Sequence, residues 1–114
     1  MTKKTSLYID IKEFLSKKKW SINRETMMQI IRFAFLVVQD EKMGRNNSEK
    51  KAFIIGTIQH LIVEDQYMDD IEMEICLELL ESSLIGQAID YMHIDHETIQ
   101  KKKEVVLFLN SAVE

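Results

Sequence analysis

The chain has 114 residues, a size typical of one domain with a single core. Hydrophobic residues make up 46% of it and charged residues 30%, which excludes a disordered chain. A single cysteine excludes an intrachain disulfide, and no apolar run approaches the roughly 20 residues of a membrane-spanning helix. Because no signal-peptide pattern is recognisable either, we expect a soluble, cytoplasmic protein.

The net charge of −4 is distributed unevenly along the chain. Residues 1–51 contain 12 lysines and arginines against 6 aspartates and glutamates, whereas residues 52–114 contain 3 against 13. Such a division predicts a molecule with surfaces of opposite sign, and it bears on binding partners rather than on catalysis.

The chain has no proline and only three glycines, which favours helices joined by short connections. A first helix is predicted over residues 6–19, since apolar residues recur there at helical spacing and Lys17-Lys18-Lys19 suit a helix carboxyl end. The alternation of Leu7, Ile9 and Ile11 leaves a short strand as the alternative.

The second predicted helix, residues 24–43, is apolar around more than half of its circumference. Ser21 or Asn23 can cap its start, and Gly44 can adopt the left-handed conformation that ends a helix. A helix with so little polar surface is surrounded by others, so we expect it to be the central element.

The third and fourth helices are predicted over residues 49–65 and 70–84. Ser48 is the expected cap of the third, and Asp69 with Glu72 three residues later is typical of a helix start for the fourth. The third helix is expected to bury Ile54, Ile55, Ile58, Leu61 and Ile62, with Gly56, Thr57, His60 and Glu64 on its polar side. The fourth is expected to bury Ile75, Cys76, Leu79 and Leu80.

Gly86 predicts a break, followed by a shorter helix through Ile89 and Met92. Asp95 can then cap a last helix over residues 96–112, in which Ile99, Val106, Leu109 and Val113 align. The β-branched run at 105–109 leaves a strand as the alternative there. The predicted fold is therefore all-α: a compact, single-domain bundle of five to six short helices spanning 1–114, with residues 1–5 as a flexible tail.

Two charged surfaces are candidates for binding. The fourth helix presents uncompensated carboxylates at helical spacing, which predicts a docking face for a basic partner or for a second copy: Asp70, Glu74, Glu78 and Glu81. The alternative is a basic patch that would bind nucleic acid or another anionic surface, with Trp20 and Tyr8 available for stacking: Lys12, Lys17, Lys18, Lys19 and Arg24.

No enzyme is predicted. His93 and His96 are three residues apart, which suits one metal ion, but no catalytic zinc signature accompanies them, and a solvated or capping role is the better interpretation. Cys76 falls on the apolar side of its helix without a neighbouring base, which favours a core cysteine over a nucleophile. We therefore expect no catalytic residues, no bound metal and no cofactor.

The segments "NRETMMQIIRFAFLVV", "SEKKAFIIGTIQHLI" and "LELLESSLIGQAIDYM", within residues 23–92, resemble short all-helical proteins of large cytoplasmic DNA viruses. This resemblance implies a viral protein of the infected cytoplasm or of the virus particle. Abundant small helical proteins of that kind tend to be structural, and the resemblance implies no enzymatic activity. The working hypothesis is a helical protein-interaction module, with nucleic-acid or anionic-surface binding as the alternative.

Overall fold

Five α-helices form the described part of the chain, which comprises residues 6–40, 46–64 and 68–113 of a computed structural model. The five are α1 (Ser6–Lys18), α2 (Met27–Asp40), α3 (Asn47–Glu64), α4 (Asp70–Glu81) and α5 (Ser83–Val113). These ranges contain no strand, so the all-α prediction is confirmed and neither strand alternative is realised. The predicted tail at 1–5 and the predicted cap Gly44 lie outside the described residues.

One apolar core joins the helices, and α2 and α3 are at its centre. Helix α2 packs against α1, α3 and α5, while α3 packs against all four other helices. The prediction of a central α2 is therefore confirmed, and α3 shares that position. Together the two helices contribute most of the fully buried side chains: Met27, Ile30, Ile31, Ala34, Ile54, Ile58, Leu61 and Ile62.

Side chains at the helix starts satisfy backbone N–H groups that would otherwise lack partners. The Asn23 carboxamide oxygen accepts from the N–H groups of Glu25 and Thr26 at 2.8 and 3.0 Å, so Asn23 rather than Ser21 caps the turn into α2. Asp69 caps α4, as predicted, by accepting from the N–H of Glu72 at 2.8 Å.

The start of α3 differs from the prediction. Asn46, not Ser48, provides the cap, because its side-chain oxygen accepts from the N–H of Glu49 at 2.8 Å. The Asn46 amide also donates to the Glu49 carboxylate, and these two bonds begin the helix two residues earlier than expected.

The predicted polar side of α3 is partly wrong as well. Thr57 is buried, and its hydroxyl donates to the Phe53 carbonyl at 2.7 Å, which satisfies the polar group inside the core. His60 is half-buried, with its ring 4.9 Å from the ring of Tyr8 in α1. Both differences have one cause: α3 is covered by helices on more sides than its apolar residues alone indicate.

The chain turns between α4 and α5 at Ser82, not at Gly86. The Ser82 N–H and hydroxyl both donate to the Leu79 carbonyl, at 3.1 and 2.6 Å, and Ser82 itself has an extended backbone. Gly86 lies inside α5, as does Asp95, so the predicted break and cap are both wrong. Each residue weakens a helix by no more than about 1 kcal/mol, which buried Ile85 and Ile89 offset.

Helix α5 consequently runs for 31 residues and extends beyond the bundle. The molecule measures 60 × 27 × 27 Å, and every side chain from residue 97 to 109 is exposed. The aligned residues Ile99, Val106 and Leu109 are therefore on a helix, as predicted, but each is at least half exposed, and only Ile99 among them lines a surface pocket with Phe35 and Leu36 of α2.

Gly86→Ala tests whether α5 is continuous. A methyl group at Gly86 would meet only the end of the Lys51 side chain, at 3.9 Å, and Gly86 has no positive φ. We therefore expect alanine to raise the free energy of unfolding by about 0.5–1 kcal/mol, measured by urea denaturation. Gly56→Ala, in the middle of α3 with open space around it, is the matched control and should stabilise similarly. Destabilisation by Gly86→Ala alone would indicate a break in α5.

Candidate functional site

The four predicted carboxylates of α4 lie on one exposed side of that helix. We call Asp70, Glu74, Glu78 and Glu81 the acidic row; all four side chains are exposed. They are held there because the opposite side of α4 buries Cys76 and Leu80 against the core. The structure therefore brings together the residues that the sequence predicted as one surface.

The acidic row is electrostatically unfavourable in the isolated molecule. None of its carboxylates forms a salt bridge with any described residue. Glu78 and Glu81 lie near the carboxyl end of α4, where the helix dipole disfavours negative charge, and no basic residue is in the last turn. Like charges four residues apart cost a few tenths of a kcal/mol, about 0.2–0.5, for each pair.

The basic patch (Lys12, Lys17, Lys18, Lys19 and Arg24) is less uniform than its sequence suggests. Arg24 Nε lies 3.4 Å from a carboxylate oxygen of Glu72, so its charge is already engaged at the start of α4. Lys18 Nζ lies 5.7 Å from the ring centre of Trp20, within the range of a cation–π contact. Lys12 lies nearer the middle of α1 and contributes to the wall of a cavity.

Lys19 adopts a left-handed backbone conformation, with φ of 57°. The Trp20 N–H bonds the Leu15 carbonyl at 3.0 Å and the Lys19 N–H bonds the Ser16 carbonyl at 3.2 Å. This pair of bonds is the Schellman arrangement that ends a helix. Glycine is the usual residue at its left-handed position, which Lys19 occupies here. It turns the chain so that Trp20 packs edge-on against Phe14, at 5.7 Å between ring centres.

A cavity of ≈ 340 Å³ opens beside this turn, which the sequence did not indicate. Its walls come from α1, the α1–α2 connection, α3 and the start of α4, and they are mainly apolar: Leu15, Trp20, Ile22, Leu61, Ile62 and Met68. Lys12 and Glu72 supply its charged groups. At 100° per residue, Glu72 points to the side of α4 that is opposite the acidic row. The cavity and the row are therefore separate features.

The two neighbouring histidines both lie against Phe35 but differ in burial. His93 faces the core with its ring 4.8 Å from that of Phe35, whereas His96 lies at the edge of the same phenylalanine, 6.1 Å away. Within residues 6–40, 46–64 and 68–113, no group of three or more His, Cys, Asp or Glu side chains could hold a metal ion.

His93 is buried, at 7% exposure, and Gln39 is its hydrogen-bond partner. Lys50 donates to the Gln39 carboxamide oxygen at 3.4 Å, which leaves the Gln39 amide to donate to His93 Nδ1 at 3.2 Å. His93 Nε2 then carries the hydrogen, and it has no partner among the described residues. Burial, and after it the Lys50 ammonium, lowers the pKa of His93 from its ordinary 6.5, against the smaller opposing effect of Asp90 and Glu97.

Cys76 is buried in the core. Burial raises the pKa of the Cys76 thiol, the Glu72 carboxylate raises it further, and Arg24 lowers it. A raised pKa disfavours the thiolate, which is the reactive form of cysteine. The structure therefore gives Cys76 the environment of a core residue.

The largest feature that the sequence reasoning missed is the exposed apolar surface of α5. Five consecutive apolar residues, 105–109, are each more than half exposed, and Leu84, Tyr91 and Ile94 are exposed nearer the bundle. The sequence contained a signal for this exposed surface. Consecutive apolar residues on a helix point in every direction, and a single neighbouring helix covers only some of them.

No protein family model matches the chain, and neither a curated protein nor a solved structure matches it. Across the described residues, the helices are too short or too polar to span a membrane. What the protein binds is therefore inferred from its own surfaces.

His93→Phe tests the effect of the buried imidazole on stability. Because the folded state lowers the pKa of His93, the unfolded state binds the proton more readily. The stability contributed by neutral His93 is present above the ordinary pKa and is lost as pH falls through the lowered one. In urea titrations at about pH 7.5 and pH 5.5, the wild type should lose more free energy of unfolding than His93→Phe. Equal losses in the two proteins would contradict a lowered pKa of His93 in the folded state.

Proposed function

We propose that this protein is a non-enzymatic helical interaction module whose acidic row binds a basic partner. The observation that carries the proposal is the exposure of four carboxylates on one side of α4, none of them in a salt bridge with a described residue. A bound cationic surface relieves the repulsion within the row and the unfavourable position of Glu78 and Glu81.

The spacing of the row defines the chemistry of the partner. Carboxylates at positions 70, 74, 78 and 81 extend along one side of three helical turns, about 16 Å at 1.5 Å per residue. Lysines or arginines repeated along a helix or an extended segment match that length. A second copy of the chain also supplies such cations through Lys17–Lys19, in a head-to-tail arrangement.

Binding through exposed charges is sensitive to salt. The row lies on the surface, so its attraction to a partner is screened over about 8 Å at physiological ionic strength. Surface charge pairs contribute more to the association rate and to partner selection than to affinity. The proposed module therefore needs either several charge pairs at once or an additional contact elsewhere on the partner.

We place the module in the cytoplasm. The resemblance of residues 23–92 to short helical proteins of large cytoplasmic DNA viruses supports a structural, virion-associated role. In that setting the basic partner is another component of the particle.

Nucleic-acid or anionic-surface binding through the basic patch is the second candidate. Lys17, Lys18 and Lys19 are exposed, which favours it. Arg24, however, is paired with Glu72, and Trp20 packs against Phe14 beneath Lys18. These contacts leave fewer cations and a less accessible ring for a polyanion than the sequence suggests.

The proposal is tested with a fluorescently labelled oligolysine peptide of about ten residues, a length that spans the row. In anisotropy titrations at about 50 and 150 mM salt, Glu74→Lys/Glu78→Lys should raise the dissociation constant at least about tenfold. The matched control is Glu13→Lys/Glu25→Lys, which makes the same change in net charge at exposed positions outside the acidic row.

Equal weakening by the two double variants would show that net charge alone attracts the peptide, and would contradict a role for the row. Parallel titrations with DNA, RNA and anionic lipid vesicles test the second candidate. Loss of such binding on reversing Lys17–Lys19 to glutamate, with no effect of the α4 variant on the peptide, would favour the basic patch.

A further inference from the structure

Five of the exposed apolar side chains of α5 lie along one side of the helix. Leu84, Tyr91, Ile94, Val105 and Phe108, which we call the outward stripe, are exposed by 68, 67, 58, 57 and 72%. Gln87, Thr98 and Lys101 occupy the three intervening positions. The steps from residue 91 onward alternate between three and four, which is the spacing of a coiled-coil seam.

The outward stripe lies on the side of α5 that faces away from the bundle. Ile85, Ile89 and His93 are buried and point toward α2, α3 and α4. At 100° per residue, the centre of the stripe is about 165° from the centre of those three residues. The described part of the bundle therefore covers one side of α5 as far as residue 96 and leaves the outward stripe exposed as far as residue 108.

From Tyr91 to Phe108, the positions along the stripe are symmetric about its centre. Its pattern about the midpoint between Ile99 and Gln100 places Tyr91 symmetrically with Phe108, Ile94 with Val105, and Thr98 with Lys101. Antiparallel pairing of two copies uses this property, because the apolar positions of one copy then meet apolar positions of the other.

The charges beside the stripe favour an antiparallel pair. In that arrangement Lys101 of each copy lies next to Glu97 of the other, and Lys102 lies across the seam from Asp95 of the other copy. A parallel pair would instead place Lys101 of one copy against Lys101 of the other within the seam. Charged residues flanking a seam set partner orientation in this way, and one polar residue within it fixes the register.

From these observations we propose that two copies of this chain associate through α5 as an antiparallel coiled coil about a two-fold axis near residues 99 and 100. Tyr91 of each copy packs on Phe108 of the other, and Ile94 packs on Val105. The two bundles are then at opposite ends of the pair and on opposite sides of it. This inference is independent of the acidic row, which belongs to α4.

The surface available is sufficient for such a pair. The two aromatic residues of the stripe each carry about 150–250 Å² of surface, most of it exposed here. With Ile94 and Val105, and counted over both copies, the stripe brings roughly 1,000 Å², the lower limit for a specific interface. The flanking Lys101, Lys102, Asp95 and Glu97 add to that area.

Sedimentation velocity of the full chain, between about 1 and 200 µM, tests the proposal with two neighbouring substitutions. Val105→Glu places a carboxylate in the seam and should raise the dimer dissociation constant at least about tenfold. Val106→Glu is the matched control, since Val106 is exposed to a similar extent, 55%, but points away from the stripe. It should leave the dissociation constant within about threefold of the wild-type value.

Orientation is tested by exchanging charges. Lys101→Glu should weaken the dimer, because the new carboxylate would face Glu97 of the second copy, and adding Glu97→Lys should restore it. Glu74→Lys/Glu78→Lys should leave the dimer intact, which separates this inference from the proposed function. A wild-type chain that is monomeric at about 200 µM, or equal effects at positions 105 and 106, would overturn the dimer. Failure of the exchange to restore association would overturn the antiparallel register.

Discussion

Helix α5 is longer than the helices it packs against. This difference in length leaves the side chains of residues 97–109 exposed. Helix α5 has 31 residues, about 46 Å, whereas α3, the longest of the other described helices, has 18, about 27 Å. The core therefore ends where the shorter helices end, and α5 continues past it. An isolated helix of about 15 residues is marginal in water, so packing from outside the bundle would stabilise the extension.

The bundle itself is stabilised by close packing of aliphatic side chains rather than by charge. Its fully buried residues come chiefly from α2 and α3, and the polar groups among them are satisfied locally, as the Thr57 hydroxyl is by the Phe53 carbonyl. Ionic contacts such as Lys51–Asp90, at 3.2 Å between α3 and α5, lie at the surface and contribute little. The carboxylates of the acidic row take no part in folding contacts of this kind with the described residues, so a partner can engage them without disturbing the bundle.

The two proposed surfaces have different physical roles. In the proposed function, the acidic row on α4 would attract its partner through screened charge, which favours rapid and salt-sensitive encounters. In the proposed dimer, the outward stripe on α5 would associate through apolar burial, which depends little on salt. A dimer through α5 would carry two acidic rows, and a partner with two basic segments would then bind with increased avidity.

The sequence was informative where local chemistry decides the structure. Asn23 and Asp69 were recognisable as caps because a cap bonds N–H groups two or three residues away. The acidic row could be predicted because a helix places residues 70, 74, 78 and 81 on one side. The predicted cap at Ser48 failed because Asn46, two residues earlier, makes the same kind of bond.

Tertiary packing decided the features that the sequence did not predict. Gly86 is a helix breaker by propensity, but burial of Ile85 and Ile89 on either side of it keeps α5 continuous. The alignment of Ile99, Val106 and Leu109 was visible in the sequence, whereas its exposure depends on where α2 and α3 end. The cavity beside Trp20 forms where four separate segments of the chain meet. The spacing of apolar residues within one segment does not predict such a meeting.

A distance between two copies tests the central claim, the antiparallel association of α5, most directly. Ser83→Cys places an exposed thiol at the amino end of α5, outside the seam, while buried Cys76, whose pKa is raised by burial, should react little with a nitroxide reagent. In the antiparallel pair the two residues 83 are separated by the length of 33 helical residues, so electron–electron dipolar spectroscopy should give about 50 Å at 1.5 Å per residue. A distance of about 10–15 Å, the spacing of neighbouring helices side by side, would contradict the account, as would the absence of any dipolar coupling at dimer-forming concentration.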